Sequence, residues 1–149
     1  MRTYPRHIAK QDALHIPYAE NDIRDYIRKC LEKYKGRTYY NKQLGVNIIV
    51  TSHSIRETMQ NCRVNRQSAK LALYLPYILR NAKIIRLHLP VESKKQKERF
   101  AFTEIAELRC NVKRVGIAKL IIGYKKNNLS IEYSITNFQY NNKTSQFDF

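Results

Sequence analysis

The spacing of apolar residues changes once along this chain, and that change limits the fold more than any other feature. Up to about residue 82, most apolar residues recur every three or four positions, as in helices with one buried face. From Lys83 onward, apolar and polar residues alternate, which is typical of strands in a sheet with one covered face. The order predicts an α+β fold in which N-terminal helices pack on one face of a C-terminal antiparallel sheet, a meander of about four strands.

The helical part contains several separate segments. An amphipathic helix is predicted from Asn21 until Gly36 ends it, and two short strands follow it at 37–41 and 46–51. Ser54-Ile55-Arg56-Glu57 has the Ser-x-x-Glu form of a capping box, which predicts a short helix to about Gln60. Further helices are predicted over 65–74 and 76–82, separated at Pro76, because proline fits only the first turn of a helix.

The strands predicted after residue 82 are 83–89, 99–110, 112–124 and 129–138, the last two joined by a turn at 125–128. Residues 92–98 are expected to form a mobile basic loop, in which Lys94, Lys95 and Lys97 could contact phosphate. We therefore divide the chain into an N-terminal arm (1–20), one α+β domain (21–138) and a polar C-terminal tail (139–149).

Positive charge is the main indication of function. The chain has 28 Lys and Arg against 12 Asp and Glu, a formal net charge of +16 on 149 residues. The excess is spread along the chain among apolar residues, which is typical of a folded basic surface rather than a charged tail. Such a surplus favours nucleic acid as the partner, RNA more than DNA, although surface lysines can also serve solubility alone.

Other motifs are scarce. The three cysteines Cys30, Cys62 and Cys110 match no metal-binding spacing, and they are typical of reduced thiols in a cytoplasmic protein. The first twenty residues lack the apolar stretch of a signal peptide, and no segment is long enough for a membrane span. Neither a metal nor a cofactor is predicted, because no phosphate-binding loop, dinucleotide fingerprint or nucleophile elbow occurs.

Sorting the predicted strands into faces indicates a polar surface on the side of the sheet away from the helices. If the faces align, this surface holds His88, Arg86, Glu107, Arg109, Glu132, Ser134 and Thr136. RNA cleavage by its own 2′-hydroxyl needs such groups: His88 as acid or base, Glu107 or Glu132 as its partner, and Arg86 and Arg109 on the phosphate. The alternative is that an uncovered sheet face is polar for solubility alone.

A second candidate phosphate site lies between a predicted strand and helix. There, His53 and Arg56 could hold a phosphate at the helix N-terminus, whereas Ser54 and Glu57 are explained by helix capping without any function. Tyr39 and Tyr40 lie next to basic residues and are candidates for stacking on bases.

The stretch from Ile23 to Ile84 contains GRTYYNKQLGVNIIVTSHSIRET and SAKLALYLPYILRNAKII. It resembles the large polyvalent protein-associated domains of phages and conjugative elements, and their relatives, the barnase–EndoU–colicin–RelE-like nucleases. The likeness rests on a helix that ends in Lys-Gly, a Gly-x-x-Ile-x-Val strand before Ile55-Arg56-Glu57, and a Leu-Pro-x-Ile-Leu-x-Asn-Ala helix before a strand. The resemblance implies a small α+β domain of mobile elements, with an RNA-cleaving site on the open side of the sheet in the nuclease members.

Three functional hypotheses follow. The first is a nucleic-acid-binding protein of mobile-element type that acts as a metal-independent ribonuclease of toxin-like character. The second is a non-catalytic module that binds DNA or RNA through the same basic face. The third is a module that binds an acidic protein, such as an antitoxin, with no membrane partner in any of the three.

Overall fold

The computed structural model describes residues 5–60, 66–88, 104–126 and 131–141. The described helices are α1 (Pro5–Ala13), α2 (Glu20–Glu32), α3 (Ser52–Met59), α4 (Arg66–Leu73) and α5 (Leu75–Asn81). The described strands are β1 (Thr38–Asn41), β2 (Val46–Ile49), β3 (Lys83–His88), β4 (Glu104–Val112), β5 (Gly116–Lys126) and β6 (Ile131–Asn141). None of these helices has both the length and the apolar composition that crossing a bilayer requires.

The four C-terminal strands form one antiparallel sheet in the order β3-β4-β5-β6, so consecutive strands are neighbours. Helices α5, α4 and α3 pack against β4, β5 and β6, respectively. A separate hairpin of β1 and β2 joins this body through contacts of β1 with α5 and of β2 with β6. The predicted α+β architecture, with helices before an antiparallel meander of four strands, is confirmed.

The core lies between the helices and one face of the sheet. On β4 and β5 the alternate residues that point toward the helices are buried and apolar: Ala106, Leu108, Cys110, Val112, Ala118, Leu120 and Ile122. The helices contribute fully buried Ile27, Leu31, Leu71 and Leu79 to the same cluster. Burial of this apolar surface is the main force that holds the two layers together.

The N-terminal segment packs against this body. Helix α1 contacts α4 and α5, and Ala9 and Ile16 are buried in the core. Arg66 donates to the main-chain carbonyls of Ile16 (3.1 Å) and Pro17, and its guanidinium lies over the Tyr18 ring, 4.6 Å from the centroid. The part of the predicted arm from residue 5 onward therefore includes a helix that contributes to the core.

The start of α3 differs from the predicted capping box. The N-cap is Thr51: its side chain accepts from the Ser54 N–H (3.1 Å), and the Ser54 hydroxyl accepts from the Thr51 N–H (2.7 Å). Ser54 is therefore the third helical residue rather than the cap, and Glu57 lies in the helix interior. The prediction was wrong because a serine hydroxyl makes here the return bond that the motif assigns to Glu or Gln.

Strand β3 contains an irregularity that changes its faces. Ile84 pairs with Leu108 and Arg86 with Glu107, so Ile85 is an extra residue in the ladder. Ile84 therefore packs against the core, while Ile85 and Leu87 are 44% and 49% exposed. Strict alternation of faces therefore does not continue through the bulge at Ile85. Since β3 is the first strand in the sheet order, one of its edges faces away from the described strands.

Candidate nucleic-acid interface

The register of three neighbouring strands places three cations in one row on the face of the sheet opposite the core. Lys83 of β3 pairs with Arg109 of β4, and Arg109 pairs with Lys119 of β5. Directly opposed residues on neighbouring strands have Cβ atoms about 5 Å apart, and like charges in such positions repel each other. We call Lys83, Arg109 and Lys119 the cationic row.

A largely buried carboxylate lies beside the cationic row. Glu107 is only 6% exposed, and its Oε2 accepts a hydrogen bond from the Nε atom of Arg86, its cross-strand partner, and forms an ion pair with the Nη2 atom of the same side chain. Its Oε1 lies 3.6 Å from the Lys119 ammonium group. The side chain of Arg86 stays 66% exposed while making this contact. Glu107 therefore orients Arg86 and Lys119, and its charge reduces the repulsion among the cations of this face.

The structure brings together some of the predicted site residues on this face. Arg86, Glu107 and Arg109 lie in neighbouring positions of β3 and β4. His88 is exposed at the end of β3, paired with Ile105, two positions from Arg86 on the strand. This is the grouping that the sorting of faces predicted.

Other predicted residues lie elsewhere. On β6, Glu132 pairs with Lys125 and Ser134 with Gly123, while Thr136 lies at a second irregularity; their side chains lie outside the description. Strands β3 and β6 are the two outer strands of the sheet, so its width separates His88 from Glu132. Three inter-strand steps of about 4.8 Å exceed the reach of a direct proton transfer. Lys94, Lys95 and Lys97 lie outside the described residues.

The second candidate phosphate site, at His53 and Arg56, places its two side chains in different surroundings. His53 lies 3.9 Å from the carboxylate of Glu57, and the two side chains are 14% and 4% exposed. Arg56 is exposed and lines a different groove, between α2 and α3. His53 and Arg56 therefore differ in exposure and in contacts, and their joint contact with a phosphate stays a prediction.

Burial suppresses the acidity of the thiols and phenols near the core. Desolvation raises the pKa of Cys110 to about 12, and the pKa of Cys30 is also raised, first by burial and then by the nearby charge of Asp12. Such thiols stay protonated near neutral pH and are poor nucleophiles. In the described part of the chain, no three His, Cys, Asp or Glu side chains are grouped as metal ligands.

Comparison with known protein families matches residues 19–118 to large polyvalent protein-associated domain 3. The chain belongs to this family. No curated protein and no solved structure matches it. The polyvalent-domain resemblance is therefore confirmed, whereas the relationship to nucleases stays a prediction.

The polyvalent-protein domain match begins just before α2 and ends within β5, so it contains Lys83, Arg86, Glu107 and Arg109. It leaves out Lys119, the third member of the cationic row, by one residue.

One structural residue of this domain was missed by the sequence analysis. Asn41 is buried at the end of β1, where its Nδ2 donates to the carbonyls of Leu79 and Ala82 (2.8 and 2.9 Å). Its Oδ1 accepts from the N–H groups of Gln43 and Leu44, both at 3.0 Å. One side chain therefore joins the β1–β2 turn to the end of α5. The signal was present, because Asn41 occupies an inward position of an alternating strand just before a turn.

The two tyrosines predicted to stack on bases differ in exposure. Tyr39 is buried, meets Tyr34 edge to face with ring centroids 6.4 Å apart, and lies beneath the guanidinium of Arg80. Tyr40 is exposed on the other side of β1. The expectation for Tyr39 was wrong, because alternation on β1 turns this ring toward the core.

Proposed function

We propose that this polyvalent-protein domain binds nucleic acid, RNA in preference to DNA, through the face of the sheet that carries the cationic row. The observation that supports this most directly is the row itself. Like charges in adjacent cross-strand positions repel each other, so this row of three cations is a favourable position for a polyanion. A phosphate backbone laid across Lys83, Arg109 and Lys119 would bring negative charge to all three cations and release its own condensed cations.

Arg86 extends this surface along β3. Its guanidinium is held by Glu107 while the side chain as a whole stays 66% exposed, so the orientation of the guanidinium is already fixed before a ligand arrives. A fixed guanidinium loses less conformational entropy when it binds phosphate than a freely rotating one does. The family match supports a mobile-element context for the domain, and the charge of the whole chain supports a polyanionic ligand.

The test is to measure the affinity of the full chain for a labelled single-stranded RNA, and for DNA of the same sequence, at several salt concentrations. Lys83→Ala should weaken RNA binding and lower the slope of log affinity against log salt by about 0.7, the contribution of one phosphate contact on a single strand. Lys29→Ala removes the same charge from an exposed position on α2 and should leave the slope unchanged. Absence of RNA and DNA binding, or equal effects of the two variants, would contradict the proposal. An acidic protein retained in place of nucleic acid would support the third hypothesis instead.

RNA cleavage is the second candidate function, and the exposed position of His88 beside Arg86 favours it. In this reaction the 2′-hydroxyl loses a proton and attacks the adjacent phosphorus, and the 5′-oxygen leaves with a proton; His88 would carry out one of the two transfers. Of the two carboxylates predicted as its partner, Glu107 lies on the neighbouring strand and Glu132 at the opposite edge of the sheet.

The cleavage test uses labelled RNA in the presence of EDTA. The wild-type chain should produce 2′,3′-cyclic phosphate ends, and His88→Ala should lower the rate by at least about 100-fold, as loss of a general acid or base does. His15→Ala is the matched control, since His15 is also exposed but lies beyond α1. An inactive wild-type chain, or equal activity of the His88 variant, would remove the catalytic candidate and leave the binding proposal standing.

A further inference from the structure

A cleft of about 640 Å³ opens at the end of the sheet where β3 begins and β4 ends. Its polar lining comes from the hairpin turn, α5 and the two strands: Gln43, Tyr77, Asn81, Lys83, Arg109 and Asn111. This volume lies within the usual range of small-molecule sites. Two of the lining residues, Lys83 and Arg109, belong to the cationic row, so the cleft adjoins the proposed phosphate surface.

Two carboxamides of the lining are fixed by the main chain. Gln43 accepts the Ile84 N–H through its Oε1, which leaves its Nε2 as the donating group. Asn81 donates its Nδ2 to the Tyr77 carbonyl at 2.8 Å, which leaves its Oδ1 as the accepting group. The cleft therefore offers one oriented donor and one oriented acceptor, and the exposed amide of Asn111 can supply either.

The other walls are apolar or aromatic. Ile84 and Ile85 line the cleft on the β3 side, and Tyr77 lines it on the α5 side. Arg6 lies over the Tyr77 ring, 5.2 Å from its centroid, and its Nη1 is 3.5 Å from the Tyr77 hydroxyl. The ring is therefore held in place by a contact outside the sheet.

We propose that this cleft binds one unpaired nucleobase of the RNA strand whose phosphates lie on the cationic row. A nucleobase is flat, has apolar faces, and presents donors and acceptors side by side on one edge, which matches apolar walls beside one amide donor and one amide acceptor. Lys83 and Arg109 would hold the phosphates that flank the bound nucleotide. This inference rests on the proposed function, since it takes the ligand from the same strand.

The experiment compares two ten-residue RNA strands of equal charge, one with a uniform base and one with abasic sites throughout. The wild-type chain should bind the base-containing strand about 5- to 150-fold more tightly, because contacts to one base are worth about 1–3 kcal/mol. The uniform strand is tested with each of the four bases, and the best of them is compared with the abasic strand.

Variants then test whether residues of the cleft cause the preference for the base-containing strand. Asn111→Ala and Asn81→Ala should reduce the preference for the base-containing strand while leaving abasic binding unchanged. Asn47→Ala, an exposed asparagine on β2, should change neither. Equal binding of both strands by the wild-type chain would overturn the nucleobase inference and leave phosphate binding intact. Failure of both strands to bind would instead overturn the proposed function, and the inference with it. Because the comparison of base-containing and abasic strands uses the wild-type chain, it tests the nucleobase inference even if a variant fails to fold.

Discussion

At the scale of single residues, Asn41 offers the sharpest test of what holds the hairpin to the helical layer. Asn41→Ala removes two donated and two accepted hydrogen bonds from a buried position, and it leaves carbonyl groups of α5 without these donors. We expect the free energy of unfolding to fall by about 3 kcal/mol, since unsatisfied buried groups cost more than the bonds themselves contribute. Urea denaturation measures it.

The control is Asn47→Ala on the exposed side of β2, which should change the free energy of unfolding by less than about 0.5 kcal/mol. Similar losses of the free energy of unfolding in the two variants would mean that the hydrogen bonds of Asn41 are not the cause of the destabilisation.

Glu107 should affect stability and RNA affinity in opposite directions. Glu107→Gln keeps the shape of the side chain but removes the charge that faces Arg86 and Lys119. The free energy of unfolding should fall by about 1–3 kcal/mol, as when a charge-assisted hydrogen bond is lost. RNA binding at low salt should become tighter, because the face gains net positive charge.

Denaturation and binding titrations check this prediction side by side, with Glu32→Gln on α2 as a charge-matched control. Weaker RNA binding by the Glu107 variant, at equal folded fraction, would contradict this expectation, because it would mean that the orientation of Arg86 and Lys119 by Glu107 matters more for affinity than the added positive charge.

For Glu107, the sequence predicted the face of the sheet but not the residues that the side chain contacts. Alternation along β4 correctly assigned Glu107 and Arg109 to the side opposite Leu108. It could not assign their partners, because the pairing of Arg86 with Glu107 depends on the extra residue Ile85 in β3. A bulge is set by the packing of both strands, and a single strand's pattern does not contain that information.

At the scale of the elements, the cap of α3 can be tested directly. Thr51→Ala removes the side chain that accepts the Ser54 N–H, and we expect a loss of about 1 kcal/mol in the free energy of unfolding. Ser52→Ala changes an exposed residue one position later and should have little effect on stability. Equal effects in chemical denaturation would show that the cap assignment is incorrect.

The β1–β2 turn depends on a left-handed residue. Gly45 has φ +72, with nothing within 4 Å of where a Cβ atom would lie, so any cost of a side chain there is conformational rather than steric. Gly45→Ala should lower the free energy of unfolding by about 1–2 kcal/mol. Gly45→Asn should cost less, since asparagine tolerates this backbone conformation better than alanine does. Thermal or urea unfolding of the two variants measures these losses. A Gly45→Ala variant as stable as the wild-type chain would contradict the prediction.

Most elements could be predicted from periodicity alone, and the errors are concentrated at their ends. Pro76 correctly marked the division between α4 and α5, because its missing N–H restricts it to a first helical turn. The α3 cap was misassigned because Thr51 and Ser54 can both cap a helix. Which of the two does so depends on the residue at which β2 ends. The contact of Asn41 with α5 joins segments about forty residues apart, which no local pattern could predict.

At the scale of the whole molecule, burial of weak acids predicts sensitivity to alkali. The pKa values of Cys110 and Tyr34 are both raised to about 12, chiefly by burial, from ordinary values of 9.0 and 10.0. The unfolded chain ionises these groups at their ordinary values while the folded chain keeps them protonated. Their contribution to stability is therefore complete below about pH 9 and is lost as the pH rises toward about 12.

Urea unfolding between pH 7 and pH 11 checks this prediction. Cys110→Ala should reduce the fall in the free energy of unfolding that begins above pH 9. An equally steep fall in the variant and the wild-type chain would contradict the assignment of this effect to the Cys110 thiol.

The bulged edge strand connects ligand binding with self-association. Exposed Ile85 and Leu87 would suit pairing with the same strand of another copy, but Lys83 and Arg86 repel that copy. Concentrated salt would screen the repulsion between these charges, and a bound polyanion would neutralise the charges themselves. We therefore expect the basic face proposed to bind nucleic acid also to oppose self-association, so saturating it with a long polyphosphate chain should draw neighbouring molecules together along that chain.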